Sequence, residues 1–325
     1  MIICRLMKFS GLVSISSEFI EVVIPAFNGE DLIKDCINSV TSALPDSRIT
    51  VVNDCSSDMT SEIVSKEFPK VNIINNERNI GFGQSCNVGT FQSDRDWVLL
   101  LNQDANLINF DIDRVNELTQ KKDVAVIGGR TEYRSGDLLP NIGLYPSIIR
   151  ILLFWPSLPL RFIGLNTGSL YSNNLSDYES CSDVEWITGS CLLVRRDLFQ
   201  DHGGFDKKFF IYVEEVDHAM RVKKNGYRVI FDPSIISMHE NRAGIGLNSF
   251  SVFQTIRGQR IFLNSNYGKL ISTIHMFSAS ISCIIIGLLA SSLLWWSPKY
   301  FSSSWGLVRG GFRALFEGWS NIAGP

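Results

Sequence analysis

The sequence predicts an α/β fold: a doubly wound arrangement of strands and helices, followed by a hydrophobic helical C-terminal appendage. Three observations carry that expectation. From Phe19 to Gly129, short apolar runs alternate with stretches of helical spacing, the pattern of strands joined by crossover helices. Val98-Leu99-Leu100-Leu101 reads as a strand buried on both faces, and it stops abruptly at Asn102-Gln103-Asp104. Between Lys269 and Lys299 there is no Asp, Glu, Lys or Arg.

The bulk numbers set limits. A chain of 325 residues has room for one large α/β domain and an appendage. We divide it into an extension (1–17), the α/β domain (18–265) and the helical C-terminal region (266–325). A formal charge of −3, from 30 basic and 33 acidic residues, excludes a strongly basic surface for nucleic acid. The seven cysteines are scattered and form no CxxC pair, which argues against a disulfide framework or zinc site and for a reducing compartment. Residues 1–17 lack a clean apolar core and a small-residue cleavage site and are not read as a signal peptide; Met7 is an alternative start.

Taken in order, Phe19 to Ile24 is a first strand, stopped by Pro25, and Glu30 to Val40 has helical spacing. Arg48 to Asn53 is a second strand, after which Asp58 caps a helix running to about Phe68. Val71 to Asn75 is a third strand and leads through a glycine-bearing turn into another helix. Trp97 to Leu101 is the fourth strand and Val124 to Gly129 the fifth. Residues 130–183 read as an irregular segment with Pro140, Pro146, Pro156 and Pro159, long enough to be functional. A strand follows at Trp186 to Val194, a short helix at Arg195 to Asp201, and a helix reaching Lys224, ended by Asn225-Gly226. Tyr227 to Phe231 and Ile235 to Met238 are two further strands, with His239 after them. A parallel sheet of this kind gathers functional groups at the carboxyl ends of its strands. No Walker A lysine motif is present, and no GxGxxG follows the first strand, which disfavours P-loop and dinucleotide enzymes. Asp104, a hard oxygen donor at such a strand end, suits Mg²⁺ or Mn²⁺ carrying a diphosphate; the competing role is a turn cap.

Four separated segments then fit one pattern: Val22-Val23-Ile24-Pro25-Ala26-Phe27-Asn28, Val51-Val52-Asn53-Asp54-Cys55-Ser56-Ser57-Asp58, Asn79-Ile80-Gly81-Phe82-Gly83-Gln84-Ser85-Cys86-Asn87-Val88-Gly89 and Leu100-Leu101-Asn102-Gln103-Asp104-Ala105. With Trp186-Ile187-Thr188-Gly189-Ser190-Cys191, Gly203-Gly204-Phe205-Asp206 and Glu214-Glu215-Val216-Asp217, they resemble the family 2 glycosyltransferases of the GT-A fold, in particular their bacterial rhamnosyltransferase-like branch. The resemblance covers roughly residues 20 to 265. It implies transfer of a sugar, with inversion, from a nucleotide-sugar donor to a hydroxyl, dTDP-rhamnose being favoured over UDP-hexoses.

The resemblance also distributes roles. Pro25, Phe27 and Asn28 line the nucleotide pocket, and Asn53 or Asp54 reads the base. Asn79, Gly81, Phe82 and Gly83 let the backbone approach the nucleotide or else form a plain helix-opening turn. Of the family's Asp-x-Asp metal motif, Asn102-Gln103-Asp104 keeps only the last Asp, with Asn102 beside the donor and His239 at the position of a further ligand. Imidazole suits Mn²⁺ better than Mg²⁺. Arg257 matches an arginine near the diphosphate, although Gly258 replaces the family's Asn. Trp186, Gly189, Ser190 and Glu214 belong on the acceptor side, where Trp186 either stacks on a sugar or is simply buried. Glu215 is the expected base, with Asp217 its rival; the alternative is that these acids only serve the dipole of the helix they open. His202, His218 and His275 are read as structural.

In the C-terminal region, Met276 to Trp296 is long enough to span a bilayer, for which ~20 apolar residues suffice. Ser278, Ser280, Ser282, Ser291 and Ser292 weigh against a span, and Trp295-Trp296 suits an interface anchor. Leu307 to Trp319 reads as a basic, aromatic interfacial helix. Lys299, Arg309 and Arg313 favour the cytoplasmic side, where the active domain must also lie; a re-entrant or in-plane segment satisfies both. A core helix or a homodimer contact is the competing reading. The polyprenyl-linked glycan acceptor implied by the resemblance favours the membrane, at the cytoplasmic face of the bacterial inner membrane, in synthesis of a surface polysaccharide such as an O-antigen. Two other functions compete: a catalytically silent nucleotide-sugar-binding or scaffold member of a polysaccharide assembly complex, and a sugar nucleotidyltransferase, which Ala26-Phe27-Asn28 does not fit.

Overall fold

A computed structural model describes residues 17–162, 168–239, 248–293 and 297–317. Trp295, Trp296 and Trp319, and the extension before Ser17, lie outside the described residues. Among the described residues the strands are Ile20–Ala26 (β1), Arg48–Asn53 (β2), Asn72–Asn75 (β3), Trp97–Leu101 (β4), Ala105–Phe110 (β5), Val124–Glu132 (β6), Ile142–Gly143 (β7), Ser182–Asp183 (β8), Trp186–Ile187 (β9), Cys191–Arg195 (β10) and Arg228–His239 (β11). The helices are Ile33–Ala43 (α1), Thr60–Glu67 (α2), Phe82–Gln92 (α3), Ile112–Thr119 (α4), Ile148–Phe154 (α5), Leu158–Phe162 (α6), Arg196–Asp201 (α7), Glu214–Lys224 (α8), Ser249–Tyr267 (α9), Lys269–Leu293 (α10) and Pro298–Glu317 (α11).

The main sheet runs β3-β2-β1-β4-β10-β6-β11-β5, with β8 on β11. Its first four strands are parallel, but β10 is antiparallel to β4 and β6, and β5 is antiparallel to β11, which is the Rossmann-like mixed sheet that the GT-A resemblance implies. Both faces are covered. Val98 and Leu100 join a core with Cys86, Phe199 and Phe205, while Leu99 and Leu101 join one with Ile33, Ile37 and Val115. That is why four apolar residues in succession fit β4.

Four expectations change. β1 continues through Pro25 to Ala26, because Pro25 lies beyond the last pair with β4, where its missing N–H interrupts no ladder on that side. β5 and α4 were not read from the sequence; β5 is half exposed, with Ile108 and Asn109 outward, and so lacks a clean apolar alternation. The expected strand at 186–194 is two, divided at the Gly189-Ser190 turn. The expected strands at 227–231 and 235–238 are one, β11, whose register shift between Phe231 and Ile236 absorbs Pro233.

The irregular 130–183 segment is tied down by one phenol. Tyr178 Oη accepts from the backbone N–H of Asn141 and Ile142, each at 3.1 Å, and donates to Ser172 O at 2.9 Å. Tyr178→Phe leaves two buried N–H groups unmatched, so we expect a loss of about 2–6 kcal/mol in urea unfolding, from about 1–3 per orphaned group.

Candidate active site

The site forms where β1, β2 and β4 end and where the Gly189-Ser190 turn and α8 begin. Gln103 brackets the backbone of exposed Phe27: its Oε1 accepts from Phe27 N at 2.9 Å and its Nε2 donates to Phe27 O at 3.0 Å. Asn28, at φ +49°, accepts from Ser57 N at 2.8 Å through Oδ1 and donates its own N–H to Ser56 Oγ. The first two strand-end loops are thereby stitched into one wall. Gln103 was part of a recognised motif, yet its positioning role was not read from the sequence.

Asn53 and Asp54 are both buried and both committed to holding this wall. Asn53 donates to Asn75 Oδ1 and accepts from Ser56 N. Asp54 accepts from Asn76 Nδ2 and Ile80 N through one oxygen and from Gly81 N through the other, at 2.8–2.9 Å. It therefore anchors the Asn79–Gly83 turn that opens α3. Gly81 sits at φ +90°, and a Cβ there would lie 2.3 Å from Phe210 O. The close approach that needs this glycine is made by the protein's own backbone.

Asp104 follows β4 in a turn, and β11 pairs His239 with Ala105, next to it. His239 Nε2 consequently lies 3.2 Å from Asp104 Oδ1 and 3.4 Å from the Asn102 amide nitrogen. Adjacent ligands of an octahedral ion bound at about 2.1 Å are about 3 Å apart, so this carboxylate and imidazole are spaced as two neighbouring ligands. The buried Oδ1 of Asn102 and Nδ1 of His239 have no hydrogen-bond partner. Among the described residues no group of three His, Cys, Asp or Glu side chains could hold a metal. One carboxylate and one imidazole fit Mn²⁺ or Mg²⁺ only if a bound diphosphate and water complete the shell.

From here a short chain of contacts leads to the acids of α8. Asn102 N donates to Ser190 O at 3.0 Å, and the N–H of neighbouring Gly189 donates to the Glu215 carboxylate. A Cβ at Gly189 would lie 3.5 Å from the Phe82 ring and 3.9 Å from Glu215 Cβ, so Phe82, Gly189 and Glu215 share one wall. Burial pushes Glu215 up to about 7, against the backbone N–H groups of Gly189, Val213 and Val216 that favour its ionised form. Its Oε2 has no partner.

The neighbouring acids differ. Glu214 is only 3% exposed and sits behind the site, where a Cβ on Gly83 would come 3.4 Å from its Cγ. Burial, then the Glu215 charge, raise it well above the carboxylate range. Its expected place on the acceptor side is therefore corrected to the interior. Asp217 points away: its carboxylate accepts from Arg221 Nε at 2.8 Å, and the same guanidinium donates to His202 O and Gly204 O, closing the Gly203-Gly204 turn. Trp186 is 1% exposed, donates to Leu144 O at 3.0 Å and lies 5.2 Å from the Tyr171 ring; it is a core residue rather than a sugar platform.

Arg257 is buried on α9 and donates to Lys208 O at 3.2 Å. Gly258 beside it faces a tight backbone, since a Cβ there would lie 2.9 Å from Tyr212 O. This accounts for glycine where the family has Asn. Tyr212 and Val213 both have positive φ, +69° and +75°, immediately before α8. Tyr212 was not among the expected site residues. Burial raises its phenol, and the charges of Glu214, Asp104 and Glu215 raise it further. Tyr171, partly buried and raised by desolvation and then by the Glu215 charge, is a second missed neighbour. Both are aromatic residues in runs that read as core.

The family model for glycosyl transferase family 2 matches residues 21–203. An N-acetylglucosaminyl-diphospho-decaprenol L-rhamnosyltransferase of Mycobacterium tuberculosis is 28% identical over 216 residues, 61% of this chain and 68% of that protein. The mannosyltransferase PcManGT of Pyrobaculum calidifontis, solved with GDP-Man and Mn²⁺, superposes with a TM-score of 0.55 at 13% identity, covering 95% of this chain and 91% of that one. GalNAc-T7, solved with UDP, GalNAc and Mn²⁺, gives 0.54 at 14% identity; the match covers 84% of this chain but spans only half of that one. These structures share the GT-A fold with this chain.

The placement of Asp217 separates a structural acid from a chemical one. Asp217→Asn weakens the clamp on Arg221 and is expected to cost about 1–3 kcal/mol in thermal or urea unfolding. Turnover per folded molecule should stay within a few-fold of wild type.

Proposed function

The chain belongs to glycosyl transferase family 2, and on that premise we propose that it is an inverting, metal-dependent transferase that uses Glu215 as its base. The observation that carries this reading is the Glu215 carboxylate: desolvated, lacking a partner at Oε2, and joined through Gly189-Ser190 and Asn102 to the Asp104–His239 pair. An acceptor hydroxyl attacks the anomeric carbon from the face opposite the diphosphate. Its proton passes to Glu215 as the new C–O bond forms. The bond to the nucleoside diphosphate breaks with its electron pair and the configuration inverts. A base titrating near neutrality combines an available ionised fraction with useful driving force. Asp104 and His239 would hold the Mn²⁺ or Mg²⁺, which neutralises the departing diphosphate.

L-Rhamnose from dTDP-rhamnose is the favoured donor, with UDP-hexoses next. Its support is the likeness to a rhamnosyltransferase whose name specifies a diphospho-decaprenol acceptor. The acceptor proposed here is accordingly a polyprenyl-linked glycan for a surface polysaccharide of the O-antigen kind, met at the cytoplasmic face of the bacterial inner membrane. Pro25, Phe27, Asn28, the Asn53–Asp54 pair and Asn79 to Gly83 frame the nucleotide side, with Arg257 near the diphosphate. Gly189 and Ser190 bound the acceptor side.

A panel of nucleotide sugars, assayed with Mn²⁺ and a polyprenyl-diphosphate glycan, tests this reading. Glu215→Gln keeps size but cannot take a proton, and should lower kcat by about 10²–10⁴-fold with donor affinity nearly unchanged. Asp104→Ala should abolish transfer and make donor binding insensitive to Mn²⁺. Full activity in either variant overturns the assigned role, and no transfer by wild type with any donor favours the silent nucleotide-sugar-binding member.

A further inference from the structure

The C-terminal helices are packed inside out for a protein in water. α10 folds back on α9, and α11 on both. The face of α10 turned inward is made mostly of small residues: Ser272, Ala279, Ser280, Cys283, Gly287 and Ser291 are buried there, with His275 and Met276 as the larger side chains. Ser272 and Ser291 satisfy their hydroxyls on carbonyls of their own helix, and Ser280 Oγ has no partner. The two helices approach very closely. A Cβ on Gly287 would lie 2.6 Å from Ser304 O, and one on Gly311 2.7 Å from Ser280 O. The outward face is large and apolar, with Leu270, Ile274, Ile281, Ile285, Leu288 and Leu293 each 47–72% exposed.

Small residues inside and large apolar ones outside is how helices associate in lipid, where burying leucine against protein gains little and backbone contact gains more. In water the same stripe would be a large uncovered patch. Its 25 residues run about 37 Å, more than the ~30 Å thickness of a bilayer's hydrocarbon core. Two features oppose a crossing. α10 lies along α9, whose Phe262 and Leu263 belong to the main core of the catalytic domain. α11 returns beside it with Arg309 exposed in mid-helix, among Trp305, Phe312 and Phe316. An arginine amid aromatic residues suits the headgroup boundary and not the hydrocarbon centre.

We propose that the outward face of the α10–α11 hairpin lies in one leaflet of a lipid bilayer, parallel to its plane, without crossing it. The occupant of this surface is lipid: acyl chains against α10 and anionic headgroups at Arg309. The inference rests on the reading of the chain as a transferase to a lipid-linked acceptor only for its purpose. α9 joins the two, since Val252, Phe253 and Ile256 pack with the hairpin while Gly258 touches Tyr212 at the site. Lipid-held substrate and catalytic base are thereby brought to one side of the molecule.

Flotation of the full chain with phosphatidylethanolamine–phosphatidylglycerol vesicles tests the surface without any sugar chemistry. Wild type should float. Ile281→Glu/Ile285→Glu/Leu288→Glu, three exposed positions outside the core, should weaken partition by about 100-fold or more, with near-ultraviolet circular dichroism and melting retained. Arg309→Gln should cost about fivefold on these vesicles and nothing on neutral ones. Ser297→Cys, in a background with Cys4, Cys55 and Cys181 changed to Ser, should react with an impermeant maleimide added outside the vesicles. Reaction only after the vesicles are lysed shows a crossing and overturns the proposal. So does unchanged flotation of the triple variant, or a wild type that stays in solution as a dimer sealed by a second copy. A wild type that floats but transfers no sugar leaves the surface standing and removes the transferase reading alone.

Discussion

Two successive residues held at positive φ, Tyr212 and Val213, are the constraint around which the site is arranged. Neither is glycine and one is β-branched, so each costs about 1–3 kcal/mol that the surroundings must offset. Three elements converge on them. The turn before α3 brings Gly81 under the carbonyl of Phe210; α9 brings Gly258 under the carbonyl of Tyr212; and Gly83 leaves room for the Glu214 side chain. Released from this backbone, α8 would begin in another register, and Glu215 would no longer meet the N–H of Gly189.

That geometry sorts acids of one sequence cluster into different jobs. Glu214 is buried as ballast behind the cleft, Glu215 faces it, and Asp217 turns away to clamp Arg221. Asp104, at the far end of the contact chain, keeps solvent access and an imidazole neighbour. Carboxylates in such unlike environments can carry unlike roles, one stabilising negative charge through an ion and one accepting a proton. The Tyr212 phenol is raised by burial and by the charges of both Asp104 and Glu215.

Much of this was legible in the sequence. Apolar runs located β1, β2 and β4 because those strands are covered on both faces, and the half-exposed edge strand β3 was read from its Ile73-Ile74 pair; the motifs at the strand ends marked the site. β5 escaped because one side of it meets water, and β11 looked like two strands because Pro233 sits in its bulge. Trp186 could not be assigned from sequence, since a buried indole and a sugar platform have the same signature. The motif register ranked Glu215 ahead of Asp217 as the base, but the clamp that Asp217 forms on Arg221 was not legible without the structure. For α10, hydropathy averages over the whole circumference of a helix. Only the structure separates its inner face of mostly small residues from its outer face of large apolar ones.

The central claim is that a desolvated carboxylate on the strained start of α8 takes the acceptor proton. The pH dependence of kcat/KM for wild type, measured with saturating metal, addresses it most directly. Because burial raises the Glu215 carboxyl, the ionised base is lost as pH falls, and activity should decline through an acid limb near neutrality belonging to the Glu214–Glu215 pair. The residual activity of Glu215→Gln should lack that limb. A wild-type profile flat down to the ordinary carboxylate range, or an identical limb in the variant, would contradict the account.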